Sequence, residues 1–273
     1  MFSTSNKNTL FCKEFWGNGP APGGFYNFVG TNENTSNFNK VCKEYTTPGP
    51  FGTQHSFSPI TTGSSVVGIK FDGGVMIAAD NLVSYGSLAR YQDVERVFKV
   101  NDKTIMGASG DFADFQSLKR SIDQKIIEDT CDDDEIIMKP KALYTWLTRI
   151  LYNRRSRFNP LWLEIVVGGF DNGIPFLGHV DLRGRAYEDT VVATSFGKHL
   201  ALPLVREKLG DKKLLTLSEA KEVLRECMEV LYYRDCRAIP KYMVAVCTKD
   251  GSVIEGPFNN DENWKLATMV KGY

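Results

Sequence analysis

From Ser65 onward, short apolar runs alternate with turn residues. SVVGIKF and VMIAAD are apolar and β-branched, with Asp72-Gly73-Gly74 between them, which predicts a hairpin. RVFKV and TIMGASG predict a second pair across Asn101-Asp102. Phe115, Leu118, Ile122 and Ile126 then recur at three and four, the spacing of a helix with one buried face. After a break at CDDDE, a second helix is expected from near Pro140. Leu143, Trp146, Leu147, Ile150 and Leu151 form its stripe, and proline is tolerated in a first turn. NPLWLEIVVGGF returns to strand, and FLGHVDLRGRAYE gives another strand and a turn. KHLALPLVREKL predicts a third helix, which Pro203 either kinks or enters in the first turn. A fourth helix starts at Thr216. Glu219 stands at capping-box spacing, and Ala220, Val223, Leu224, Cys227 and Leu231 follow at helical intervals. YMVAVCT and SVIEG predict a closing hairpin across Lys249-Asp250-Gly251, and NDENWKLATMV a short last helix.

The order is strands, two helices, strands, two helices, strands. Hairpin spacing makes the strands antiparallel, and each amphipathic helix needs a sheet face to cover. The expected class is α+β: a four-layer αββα sandwich of two stacked antiparallel sheets flanked by helices.

Residues 1–63 have another character. They contain no arginine, five prolines, and Gly/Asn/Pro clusters such as NGPAPGG and TTPGPFG that break any period. Aromatics are nevertheless frequent: Phe11, Phe15, Trp16, Phe25, Tyr26 and Phe28. Solvated linkers are usually aromatic-poor. The segment is either a disordered tail or a loosely ordered arm that packs on a partner.

Across 273 residues the formal charge is zero and the pI about 6.8, which argues against a general grip on nucleic acid or an anionic membrane. No apolar run approaches the ~18 residues of a membrane helix. MFSTSNKNTLFCKEFW has no charged flank followed by an apolar core, as a signal peptide would. The six cysteines (12, 42, 131, 227, 236, 247) form no CxxC, and none has a histidine at metal-ligand spacing. No cofactor, zinc site or disulfide framework is expected, and a reducing compartment fits.

Dinucleotide, P-loop, HExxH and GxSxG motifs are absent from the sequence. Asp111 and Asp114 read as charge at a helix start. The acid run Asp132–Glu135 reads as a solvated loop, and RRSR (154–157) as a surface or subunit contact.

Gly63-Ser64 followed by SVVGIKFDGGVMIAAD, then YGSLAR, GASGDFADFQ, RRSRFNPLW and YYRD, resembles a proteasome beta subunit from about residue 56 to the C-terminus. SYGSLAR, RRSRFNPLW and LYYRDCR are similar to the beta-7 type of that family. The resemblance implies the αββα fold of N-terminal nucleophile hydrolases. It also implies a leader over residues 1–55 that neighbouring subunits remove near His55-Ser56, and a mature domain over 56–273.

In active members of the family, cleavage after a glycine frees a threonine. Its hydroxyl attacks the scissile carbonyl and its new α-amine accepts the proton, because a weak hydroxyl nucleophile needs a base within reach. That position falls on Ser64; Thr61 and Thr62 lie upstream of the glycine. The family's aspartate falls on Asp80 and its lysine on Arg96. The serine of its Gly-Ser-Gly turn falls on Phe196, its later aspartate on Asp235, and the serine three residues on falls on Ala238. Arginine is bulkier than lysine and does not release its proton, so Arg96 is expected to pair with one or both aspartates. Taken together, these departures predict a chain with no catalytic residues.

The implied role is a non-catalytic structural subunit of the beta ring of the 20S core particle, which degrades ubiquitinated proteins in cytoplasm and nucleus. Its partners would be other beta subunits, in the same ring and the opposite one, and alpha-ring subunits, with no nucleic acid and no membrane. RRSRFNPLW is a candidate interface. The family's beta-7 C-terminus crosses to the opposite ring; with MVKGY soon after the last predicted helix, any such arm is expected to be short. Two alternatives stand beside this reading: an active hydrolase using Ser64 after cleavage at Gly63, and a binding module built on the aromatic leader.

Overall fold

The computed structural model describes residues 58–132, 137–210 and 212–264. The leader, the cut near His55-Ser56, most of the acid run and the chain after Trp264 lie outside the described residues.

In chain order the first strands are β1 (Thr61–Gly63), β2 (Val66–Phe71), β3 (Gly74–Asp80), β4 (Val83–Tyr85), β5 (Leu88–Tyr91), β6 (Val97–Asn101) and β7 (Thr104–Asp111). Helices α1 (Phe112–Cys131) and α2 (Pro140–Ser156) follow, then β8 (Leu163–Asp171), β9 (Ile174–Val180), β10 (Ala186–Glu188) and β11 (Val191–Ala193). The chain goes on through α3 (Gly197–Leu209), α4 (Leu217–Arg234), β12 (Lys241–Thr248) and β13 (Gly251–Asn259).

The larger sheet runs β10-β9-β8-β7-β1-β4-β5, with β6 also paired to β7; the smaller runs β11-β2-β3-β12-β13. The ladders are antiparallel. Leu118 and Ile122 of α1 and Leu147 of α2 pack with Met106 and Ile165 on the outside of the larger sheet. Val205 of α3 and Val223 and Leu231 of α4 pack with Ile69, Met76 and Val244 on the outside of the smaller. Between the sheets lie Val66, Ile77, Ile105, Val166 and Leu177. Strands covered on both faces read as continuous apolar runs rather than alternating ones, and β3 is buried along its whole length. Gly107 lets the sheets approach: a Cβ there would meet Val66 Cγ1 at 2.8 Å and Ile77 Cγ2 at 2.9 Å.

The expected sandwich is therefore present, and several local expectations with it. Asp111 caps α1, accepting from Ala113 N at 2.8 Å and Asp114 N at 3.3 Å. Helix α2 begins at Pro140, and Thr216 with Glu219 forms a complete capping box. Pro203 lies in the interior of α3 rather than in its first turn, where its ring nitrogen has no proton for the His199 carbonyl one turn back. Residues Asn260–Trp264 are not helical; the rest of the expected last helix lies outside the described residues. Strands β1, β4, β5, β10 and β11 have no counterpart among the expected elements, because three or four residues are too few to show a period.

Candidate functional site

Strand β1 lies inside the larger sheet. It pairs Thr62 with Asp111 and Gly63 with Gly110 of β7 on one side, and Thr61 with Tyr85 through Gly63 with Val83 of β4 on the other. Two residues later β2 begins in the smaller sheet. Ser64-Ser65 is thus the step from one sheet to the other. Asp80 ends β3, Arg96 immediately precedes β6, and Asp235 is the C-cap of α4.

Arg96 is only 2% exposed. A guanidinium has five N–H groups, and each finds an acceptor. Nε donates to Asp80 O at 2.9 Å. Nη1 donates to Ser64 O at 2.8 Å and Ala108 O at 3.4 Å. Nη2 donates to Ser65 O at 3.2 Å and to the Asp80 carboxylate. The other Asp80 oxygen accepts from Ile239 N at 3.4 Å. Burial pushes the Asp80 carboxyl above its ordinary pKa, against the opposing pull of Arg96 and the Ile239 N–H. Arg96 pairs with Asp80 and not with Asp235. Gly63 is needed beside it, since a Cβ there would sit 2.6 Å from Arg96 Cδ.

Ser64 is buried at 8% exposure, and its hydroxyl donates to Asp235 Oδ2. Asp235 Oδ1 accepts from Arg237 N at 2.9 Å. The Ser64 nitrogen is a peptide nitrogen continuous with β1, not an amine. A carboxylate is a far weaker base than an α-amine, with ordinary pKa values of about 3.9 and about 8. Ala238 lies half-buried in the turn after Asp235, its N–H on Asp235 O at 3.2 Å, and offers no hydroxyl. Phe196 is 53% exposed at the N-cap of α3. The next residue, Gly197, donates its N–H to Ser65 Oγ at 3.0 Å. The fold therefore gathers Ser64, Asp80, Arg96 and Asp235, keeps Ala238 beside them, and leaves the Phe196 ring toward solvent.

A second polar cluster escaped the sequence reading. Glu164 of β8 accepts from Ser195 N at 3.0 Å and from Lys198 Nζ at 2.6 Å, with His179 Nε2 3.8 Å away. Burial would push the Glu164 carboxyl up, but His179, Lys198 and the Ser195 N–H outweigh it and hold the pKa at about 2. The signal was present: Glu164 and His179 are polar residues inside apolar strand runs. No group of metal-ligating residues occurs among the described residues. Two surface depressions of about 420 Å³ lie elsewhere, one along α3–α4 and one at the β6–β7, β8–β9 and β12–β13 turns.

Residues 60–247 match the family described as Proteasome subunit. The fruit fly Drosophila melanogaster protein named Proteasome subunit beta type-4 is 59% identical over 270 residues, covering 98% of this chain and 99% of that one. The Xenopus laevis protein of the same name is 49% identical, covering 83% and 93%. The Saccharomyces cerevisiae Proteasome subunit beta type-7 is 40% identical, covering 79% and 85%. With its two-sheet sandwich and a match across most of its length, the chain belongs to the proteasome subunit family.

Proposed function

We propose that the chain is a non-catalytic structural subunit of the beta ring of the 20S core particle, the complex that degrades ubiquitinated proteins. The observation that carries this is the continuity of Thr61–Gly63 with the larger sheet. An N-terminal nucleophile needs cleavage at Gly63-Ser64, yet β1 bridges β7 and β4 at that point. Cutting there would leave β4 and β5 without their neighbour. Arg96 supports the same reading, because all its donors hold backbone and Asp80, and arginine does not give up its proton.

A ring of distinct subunits needs every position filled whether or not the position is catalytic. On this reading the partners are beta subunits of the same and opposite rings and alpha-ring subunits. Residues 1–55 are a leader that neighbours remove near His55-Ser56, and the particle works in cytoplasm and nucleus. The Ser64–Asp235 hydrogen bond favours the one competing reading, an active hydrolase using Ser64 after cleavage at Gly63. A hydroxyl-directed epoxyketone probe separates the two in the assembled particle. The proposal expects adducts on catalytic sister subunits and none on this chain; an adduct on Ser64 overturns it.

A further inference from the structure

Helix α2 stops burying side chains before it stops being a helix. Leu151 is fully buried, yet every residue from Tyr152 to Phe158 is exposed. The closing hydrogen bonds of this stretch are long and shared: the Arg157 N–H reaches Asn153 O and Arg154 O, both at 3.2 Å. Phe158 then takes φ +54°, a left-handed backbone that strains a residue with a side chain. A terminal turn with no core contact and a strained cap opens at little cost.

Ser156 lies in this turn. Elsewhere on α2, Thr145 and Thr148 return their hydroxyls to the carbonyl four residues back, at 2.9 and 2.8 Å. The Ser156 hydroxyl makes no hydrogen bond among the described residues. Its neighbours Arg154, Arg155 and Arg157 are exposed, and none makes an ion pair among the described residues. Arg155 lies over the exposed Tyr152 ring, 5.9 Å from its centroid. A free hydroxyl is thus presented among three unpaired guanidinium groups, on a segment that straightens easily. Ser121 shows what the same local sequence looks like when it is closed off. It follows Lys119 and Arg120, but it is half-buried within α1 and donates to Ser117 O at 3.3 Å. Lys119 is paired with Asp123, and Ile122 is buried in the core.

We propose that Ser156 is a phosphorylation site for an arginine-directed protein kinase. Such an enzyme reads charge pattern around the acceptor hydroxyl, and guanidinium groups suit a carboxylate-lined cleft because they bind carboxylates bidentately. Ser156 Oγ attacks the γ-phosphorus of ATP. The bond from that phosphorus to the β–γ bridging oxygen breaks, and ADP leaves with the electron pair. The Oγ proton passes to the catalytic aspartate of the kinase. The phosphate brings about two negative charges. It accepts charge-assisted hydrogen bonds from the flanking arginines, which offset the unfavourable helix dipole at a C-terminus. The site requires only an accessible end of α2 and does not depend on the proposed role in the particle.

The full-length chain is incubated with magnesium ATP and the catalytic subunit of cyclic-AMP-dependent kinase, an arginine-directed enzyme, and the phosphate is located by fragment-ion mass spectrometry. One phosphate should appear, on Ser156, and Ser156→Ala should abolish it. Arg154→Ala/Arg155→Ala keeps the hydroxyl but should slow the initial rate about tenfold or more, the scale of losing charge-assisted hydrogen bonds to the cleft. The chain recovered from cells lysed in phosphatase inhibitors should carry the same phosphate. Phosphate on Ser121 instead of Ser156, an unchanged rate in the double variant, or an unmodified Ser156 in both the free and the assembled chain from cells overturns the proposal.

Discussion

Arg96 and the three arginines at the end of α2 are the same residue type in opposite circumstances. Arg96 is enclosed and every N–H has an acceptor within the chain. Arg154, Arg155 and Arg157 are exposed, without ion pairs among the described residues. An arginine whose donors are all engaged internally fixes geometry and has nothing left to offer a substrate. An exposed arginine without an ion pair contributes little to its own fold. In this chain Arg96 belongs to a closed internal joint, and the three exposed arginines sit about a helix end.

The internal joint breaks most severely at its centre. Arg96→Ala leaves the Asp80 carboxylate buried without its charge partner and several carbonyls without donors, so denaturant unfolding should show a loss of about 3–5 kcal/mol. Ser64→Ala removes a buried donor to Asp235; a loss of about 1.5–3 kcal/mol is expected in the same measurement. Assembly and peptidase activity of the particle should both stay unchanged. A drop in activity would mean that Ser64 does chemistry. Gly63→Ala drives a methyl against Arg96 Cδ and should cost about 1–3 kcal/mol through overpacking; a neutral result would show that the guanidinium is less tightly held than described.

The effect confined to acid pH belongs to Glu164, whose folded pKa of about 2 lies below its ordinary 4.5. A depressed carboxylate adds stability that is complete above its unfolded pKa and is lost as pH falls through the folded value. The wild-type chain should therefore lose stability progressively from about pH 4.5 toward pH 2. Glu164→Gln should flatten that part of an acid-unfolding curve. If the two curves coincide across this window, Glu164 contributes no pH-dependent stability.

Much of the fold was legible because its long elements announce themselves. Pro140, the Thr216–Glu219 box and the Asp111 cap each act over a few neighbouring residues, and the sequence displays them. Strands β1, β4, β5, β10 and β11 are short and exist through pairing, such as Thr62 with both Ser84 and Asp111, which no local pattern records. The site divides along the same line. The resemblance located Ser64, Asp80, Arg96 and Asp235, and an arginine at the family's lysine position suggested a pair with one or both aspartates. Which aspartate Arg96 chooses, and that four carbonyls join it, depends on how β3, β7 and the Ser64-Ser65 crossing meet. Phe158 is the sharpest case: nothing in its sequence neighbours records its positive φ or its exposure.

The N-terminal residue of this chain in the mature particle tests the central claim most directly. Sequencing or intact-mass analysis should find Thr61–Gly63 retained, with the chain starting near Ser56. A mature chain beginning at Ser64, with a free amine beside its hydroxyl, would contradict the structural role and restore the catalytic reading.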